Sequence, residues 1–162
     1  HYRSQYGVIF HSAMPTNLYG PGDNYHLENA HVLPALIRRF LEAEAQGLPE
    51  VVVWGSGRAT RELLYVEDCA DAVVAMLRQG DCVEPVNIGT GVETSIRELA
   101  EAIASACGYT GRLVFDASKP EGQPRKCLDV SKARDLFGWQ AAVGLDEGLK
   151  RTVSWYRSQQ SS

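Results

Sequence analysis

His31 is the residue whose type and place most invite chemistry. It stands at the start of a helix-patterned stretch, where the helix dipole favours a neutral imidazole able to accept a proton. At about 100° per residue, the apolar face of that stretch centres near Phe40 and His31 lies opposite it. Arg38 falls close to His31 on the open face, and Arg39 lies at the border of the apolar stripe. Geometry leaves two readings open for His31, an exposed first-turn residue or a functional base. Arg39, Arg61 after the turn GSGRAT, and Arg125 in DASKPEGQPRK carry guanidinium forks that suit phosphate. Solvated surface charge is the default for any one of them. Trp54 ends an apolar run just before Gly55, so its ring either stacks on a base or caps the core. In NIGTG (87–91), two glycines permit close approach of a ligand to backbone or simply make a turn.

These residues need elements to position them. VIFHSAM (8–14) reads as a largely buried strand, and PTNLYGPGDNYHLENAH (15–31) as a long loop, a kind that usually holds something or moves. Val32, Leu33, Leu36, Ile37, Phe40 and Leu41 recur at helical spacing up to Gln46, with Gly47 and Pro49 as the stop. VVVW (51–54), ELLY (62–65), PVNIG (85–89) and RLVF (112–115) read as strands. Helices are expected over 67–79 with a stop at Gly80, over 96–107 behind a Ser95/Glu98 capping box with a stop at Gly108, over 131–137 and over 145–158. HYRSQYG reads as the last turns of a helix closed by Gly7, so the sequence is read as beginning mid-domain. Strands alternating with helices predict an α/β protein with parallel pairing, in a single unit spanning 1–162.

Composition narrows the class. The 162 residues are 44% hydrophobic and 22% charged, which suits one globular unit with a sizeable core. A net charge of −4 with scattered Lys and Arg argues against nucleic acid and anionic membrane surfaces as partners. No apolar run approaches the ~20 residues of a bilayer span, and no signal-peptide pattern opens the chain. Cys69, Cys82, Cys107 and Cys127 have neither zinc-ligand nor disulfide-framework spacing, so reduced thiols in the cytoplasm and no bound metal are expected.

Read in order, PTNLYGPGDN, NAHVLPALIRRF, VVVWGSGRATRELLYVED, VNIGTG, TSIRELAEAI and VFDASKPEGQPRKCLDV resemble the C-terminal half of the GDP-L-fucose synthase family. These are extended short-chain dehydrogenase/reductases related to NAD-dependent epimerases and dehydratases. The YGP, REL and NIGTG signatures are shared with many nucleotide-sugar epimerases, whereas NAHVLPALIRR and DASKPEGQPRK point to this family in particular.

The resemblance implies a Rossmann-type fold of which this chain supplies the substrate-binding portion and one or two orphan sheet strands. It implies NADPH as cofactor and conversion of GDP-4-keto-6-deoxy-D-mannose to GDP-L-fucose by 3,5-epimerisation and 4-keto reduction. By the same carry-over, Pro15, Thr16, Asn17 and Leu18 line the nicotinamide end of the cofactor site. His31 matches the acid/base histidine, and imidazole suits giving and taking protons near neutral pH; by the same match His31 also touches the cofactor. Arg39, Trp54, Arg61 and Glu121 match positions holding the GDP portion, with Glu121 standing where the family has aspartate. The family's glycine-rich dinucleotide loop, YxxxK pair, and catalytic Ser and Cys belong to the other half. The isolated chain is therefore expected to be inactive and to form a homodimer through bare strand edges. A non-catalytic nucleotide-sugar-binding or oligomerising module, and a fragment of a related sugar 4-epimerase or dehydratase, remain as alternatives.

Overall fold

Helices and short strands alternate along the chain much as the pattern predicts. The computed structural model describes residues 1–26, 29–78 and 82–160. In order they form α1 (Tyr2–Tyr6), β1 (Ala13–Pro15), β2 (Asn17–Tyr19), α2 (Val32–Gln46), β3 (Glu50–Trp54), β4 (Thr60–Arg61), β5 (Leu63–Tyr65) and α3 (Val66–Arg78). Then follow β6 (Val86–Ile88), β7 (Thr94–Ser95), α4 (Ile96–Ala106), β8 (Arg112–Asp116), α5 (Ser131–Phe137) and α6 (Leu145–Gln160). The strands pair two by two: β1 with β6, β2 with β5 and β3 with β8 in parallel, and β4 with β7 antiparallel.

Two apolar cores result. One gathers α2, α4, α6 and β3 around Phe40, Leu99, Ile103 and Leu149; the other gathers α3, α5 and β6 around Met76, Ile88 and Phe137. The β2–β5 pair is the wall between them. Side chains alternate along a strand, so Leu63 and Tyr65 enter the first core while Leu64 enters the second. Helix α2 forms because Leu33, Leu36, Ile37 and Phe40 share one buried stripe, and Gly47 closes it. Phe40 is wholly buried, so cutting it to alanine would cost about 3 to 5 kcal/mol. Helix α4 starts on the expected capping box, with Ser95 and Glu98 satisfying each other's backbone N–H groups.

Several expectations need correction. The strand expected over 8–14 is paired only from Ala13, while Val8, Ile9 and Phe10 stand exposed. An apolar run becomes a strand only where a partner lies alongside, and β6 offers three residues. Inside the segment read as loop, residues 17–19 pair with β5. Its next part is ordered by turns: the Asp23 N–H donates to the Gly20 carbonyl, and the Tyr25 ring lies 4.1 Å from that of Tyr156. The small antiparallel β4–β7 pair was not expected. The helix stop at Gly80 lies outside the described residues. No helix among the described residues is long and apolar enough to cross a membrane.

Candidate functional site

Glu62 is fully buried, between Arg61 and the apolar triple of β5. A buried carboxylate is tolerated only when hydrogen-bonded, and two backbone groups meet that need. The Gly91 N–H donates to Oε1 at 2.8 Å and the Leu128 N–H to Oε2 at 2.7 Å. A side chain at Gly89 would run into this carboxylate. NIGTG therefore closes over a protein carboxylate and is a structural turn.

The backbone of Glu62 pins the segment read as cofactor-lining. Its carbonyl accepts from Asn17 Nδ2 at 2.8 Å and Thr16 Oγ1 at 3.3 Å. Lys126 Nζ donates to Asn17 Oδ1 at 3.2 Å. Thr16 is buried, its N–H bonded to the Ile88 carbonyl, while Pro15 is exposed and Leu18 packs against the second core. These four residues occupy the carboxyl end of β1 and the start of β2. Carboxyl ends of parallel strands are where ligands sit in open α/β sheets.

A second group gathers on the open side of β3, where Val51 and Val53 point inward and Val52 and Trp54 outward. Trp54 is 58% exposed, so its ring does not cap the core. Arg39 Nη1 donates to the Val52 carbonyl at 2.7 Å. The chain then turns at Gly55, whose φ of 88° favours glycine and whose missing Cβ makes room for the Glu121 side chain. The Ser56 N–H donates to the Glu121 carboxylate, and this bond holds that carboxyl below the ordinary glutamate range. Arg61 Nη1 donates to the Thr60 and Gln123 carbonyls at 2.7 Å each, and Nη2 to that of Glu121 at 3.3 Å. With the Thr60 and Glu62 N–H groups bonded to the Pro124 and Lys126 carbonyls, residues 116–128 become a strap laced to 55–62.

His31 is the N-cap of α2, and its exposed imidazole makes no hydrogen bond to another described residue. Eight residues at about 1.5 Å rise separate it from Arg39, about 12 Å along the helix axis. Its expected neighbour Arg38 turns instead to Glu42 at 2.7 Å and to the Tyr25 carbonyl at 3.1 Å. Arg125, read as a phosphate candidate, holds Glu93 at 2.8 Å. Burial pushes the Cys107 thiol up to about 12 and raises those of Cys69 and Cys127, which leaves these three poor nucleophiles. No cluster among the described residues could hold a metal ion. Sequence reasoning missed Glu62, Ser56, Lys119 and Lys126. For Glu62 the available signal was an acid set directly before the wholly apolar LLY.

The family model described as "NAD dependent epimerase/dehydratase family" matches residues 1–89. Over 155 residues the chain is 54% identical to "Probable GDP-L-fucose synthase 1" of Oryza sativa subsp. japonica, covering 96% of this chain and 47% of that one. It is 51% identical over 168 residues to "GDP-L-fucose synthase" of Escherichia coli (strain K12), covering 98% and 52%. Among solved structures, a GDP-L-fucose synthetase from Naegleria fowleri matches with a TM-score of 0.90 at 32% identity, over 99% of this chain and 50% of that one. A UDP-glucose 4-epimerase from Thermotoga maritima, solved with UDP-glucose, matches with a TM-score of 0.85 at 31% identity, over 98% and 49%. The chain thus spans about half the length of these relatives.

Proposed function

Because the chain belongs to the NAD dependent epimerase/dehydratase family, we propose that residues 1–162 are the substrate-binding portion of a cytoplasmic, NADPH-dependent epimerase-reductase. Its reaction makes GDP-L-fucose from GDP-4-keto-6-deoxy-D-mannose. The observation that carries this reading is the gathering of Arg39, Trp54, Arg61 and Glu121 around the open side of β3 and the strap, with His31 on the helix that bears Arg39. The two guanidinium groups offset diphosphate charge, and the Trp54 ring offers a stacking face. A 4-keto group acidifies the C3 and C5 protons of the sugar. The His31 imidazole, with no hydrogen bond to another described residue, serves as one member of an acid/base pair at those carbons, and a second group on the opposite face of the sugar, outside this chain, completes each inversion.

The residues present fit NADPH at one end. Thr16 and Asn17 are fixed by the Glu62 carbonyl, which presents residues 15–18 as a rigid floor for the nicotinamide. For the pyrophosphate, the glycine-rich turn in NIGTG is closed by Glu62. When bound, NADPH supplies the hydride that reduces C4. This chain's part is to hold the sugar and move its protons.

Taken alone, the chain on this reading binds the GDP-sugar without turnover, and in that state it coincides with the non-catalytic alternative. Exposed Val8, Ile9, Phe10 and Met14 beside the three-residue ladder of β1 and β6 favour a homodimer formed through those edges. The test supplies NADPH and the keto sugar to the full-length protein and to the 162-residue chain. GDP-L-fucose is expected from the first and binding without NADPH oxidation from the second. Failure of the full-length protein to form product overturns the reaction, and a monomer in light scattering at micromolar concentration overturns the dimer.

A further inference from the structure

We propose that Lys119 selects the base: its ammonium, poised over the exposed Trp54 ring, reads the O6 and N7 edge of guanine and so favours guanosine diphosphates. This rests on the nucleotide-sugar reading of the site given above. Stacking on Trp54 does not discriminate, since every base has a π-face, and the arginines meet a diphosphate common to all nucleotides. The fold does not discriminate either, for it is shared by proteins named for GDP-sugars and for UDP-glucose. Selection must therefore come from a polar side chain beside the ring.

Lys119 is that side chain. Register pairs Trp54 with Asp116, the last residue of β8, and the chain turns back there. The Lys119 N–H donates to the Asp116 carbonyl at 3.1 Å, while the Ser118 hydroxyl and N–H donate to Asp116 Oδ1 at 2.6 and 3.0 Å. This tight turn sets Lys119 Nζ 5.9 Å from the Trp54 centroid. Of the nearby carboxylates, Glu121 is taken up by Ser56, while Asp116 accepts from Ser118 and also attracts the Lys119 ammonium by charge without a hydrogen bond from it. The ammonium itself donates no hydrogen bond to another described residue. It therefore rests on the ring by cation–π attraction, a place an incoming base takes over.

An ammonium has three donors and no acceptor. Guanine presents two adjacent acceptors, O6 and N7, on one edge; adenine sets an amino donor beside its N7. Uracil has a lone O4 there and no N7. Hypoxanthine keeps the guanine edge and lacks only the 2-amino group, which makes inosine diphosphate the informative probe.

Calorimetric titration of the chain with GDP, IDP, ADP and UDP tests the assignment. GDP and IDP are expected to bind alike and roughly 10- to 100-fold tighter than ADP, the worth of one hydrogen bond from a charged donor. Lys119→Met should bring GDP and IDP down to the ADP level and leave ADP unchanged, whereas Lys119→Arg should keep the preference. A Lys119→Met protein with the parent GDP-to-ADP ratio overturns the assignment and leaves the nucleotide site standing. So does a parent chain that binds GDP far more tightly than IDP, since the 2-amino edge would then be what is read. Binding of none of the four overturns the nucleotide reading of the site, and the assignment with it.

Discussion

The strap side of the site and its helix-start side are built differently. Around the strap, three polar side chains are already tied to backbone: Arg61 to three carbonyls, Arg39 to that of Val52, and Glu121 to the Ser56 amide. At the start of α2, the imidazole of His31 touches no hydrogen-bonding partner among the described residues, and the turn before it is steadied by the Tyr25 ring and by Arg38 on the Tyr25 carbonyl. Holding a diphosphate and a base benefits from groups ordered in advance, because less freedom is lost on binding. Proton transfer needs an imidazole that can still gain and lose a proton. On the proposed function the two sides would divide affinity from chemistry, and substitutions should separate the two.

The largest expected effect is on the chemical side. In the full-length protein, His31→Gln should slow solvent deuterium exchange at C3 and C5 by about 10²- to 10⁴-fold, the range for a lost general base, while GDP-sugar affinity changes little. Exchange at the parent rate would remove His31 from the acid/base role and dissolve the contrast between the sides.

Next in size is the carboxylate that ties the strap to the NIGTG turn. Glu62→Ala removes the acceptor of the part-buried Gly91 and Leu128 N–H groups and empties a fully buried side-chain position. The expected loss is about 2 to 5 kcal/mol in urea unfolding. Glu62→Gln retains one carbonyl oxygen but turns an NH₂ toward the second N–H, so it should fall between. Parent stability for Glu62→Ala would show that the strap does not depend on this carboxylate.

Smaller effects belong to the binding side. Arg39→Ala and Arg61→Ala should each weaken GDP-sugar binding by about 1 to 3 kcal/mol in calorimetry. Arg38→Ala serves as the control, because its guanidinium is taken up by Glu42 and the Tyr25 carbonyl. A larger loss from Arg38 than from Arg39 would place the diphosphate on the other flank of α2.

What could be read in advance follows the range of the forces involved. Helix α2 and the capping box of α4 were legible because both depend on residues three or four apart. The strand expected over 8–14 was half wrong because an apolar run does not reveal whether a ladder lies beside it. Arg125 drew interest as a phosphate ligand, yet its partner Glu93 lies 32 positions away. Glu62 stayed hidden for the same reason, its acceptor role depending on Gly91 and Leu128, 29 and 66 positions on. Family likeness pointed to His31, Arg39, Trp54, Arg61 and Glu121, but the ties that order the strap emerged only from the fold.

The smallest effect concerns pH, and it isolates a single tie of the strap. The Ser56 N–H stabilises the charged form of Glu121, so its folded pKa lies below the unfolded value. Such a group contributes stability that is fully present above the unfolded pKa, about 4.3 for glutamate, and that is lost as pH falls through the lower folded value. Acidification below about pH 4 should thus loosen the turn at residues 55–57 before it unfolds the cores. The amide of Ser56 reports this directly. Its nitrogen–proton resonance should titrate with a midpoint below the ordinary glutamate value, and Glu121→Gln should abolish the transition. A midpoint at the ordinary value would mean that the carboxylate is not held by Ser56. The strap would then be no better ordered at this point than the turn before His31, and the contrast between the two sides would narrow to the arginines alone.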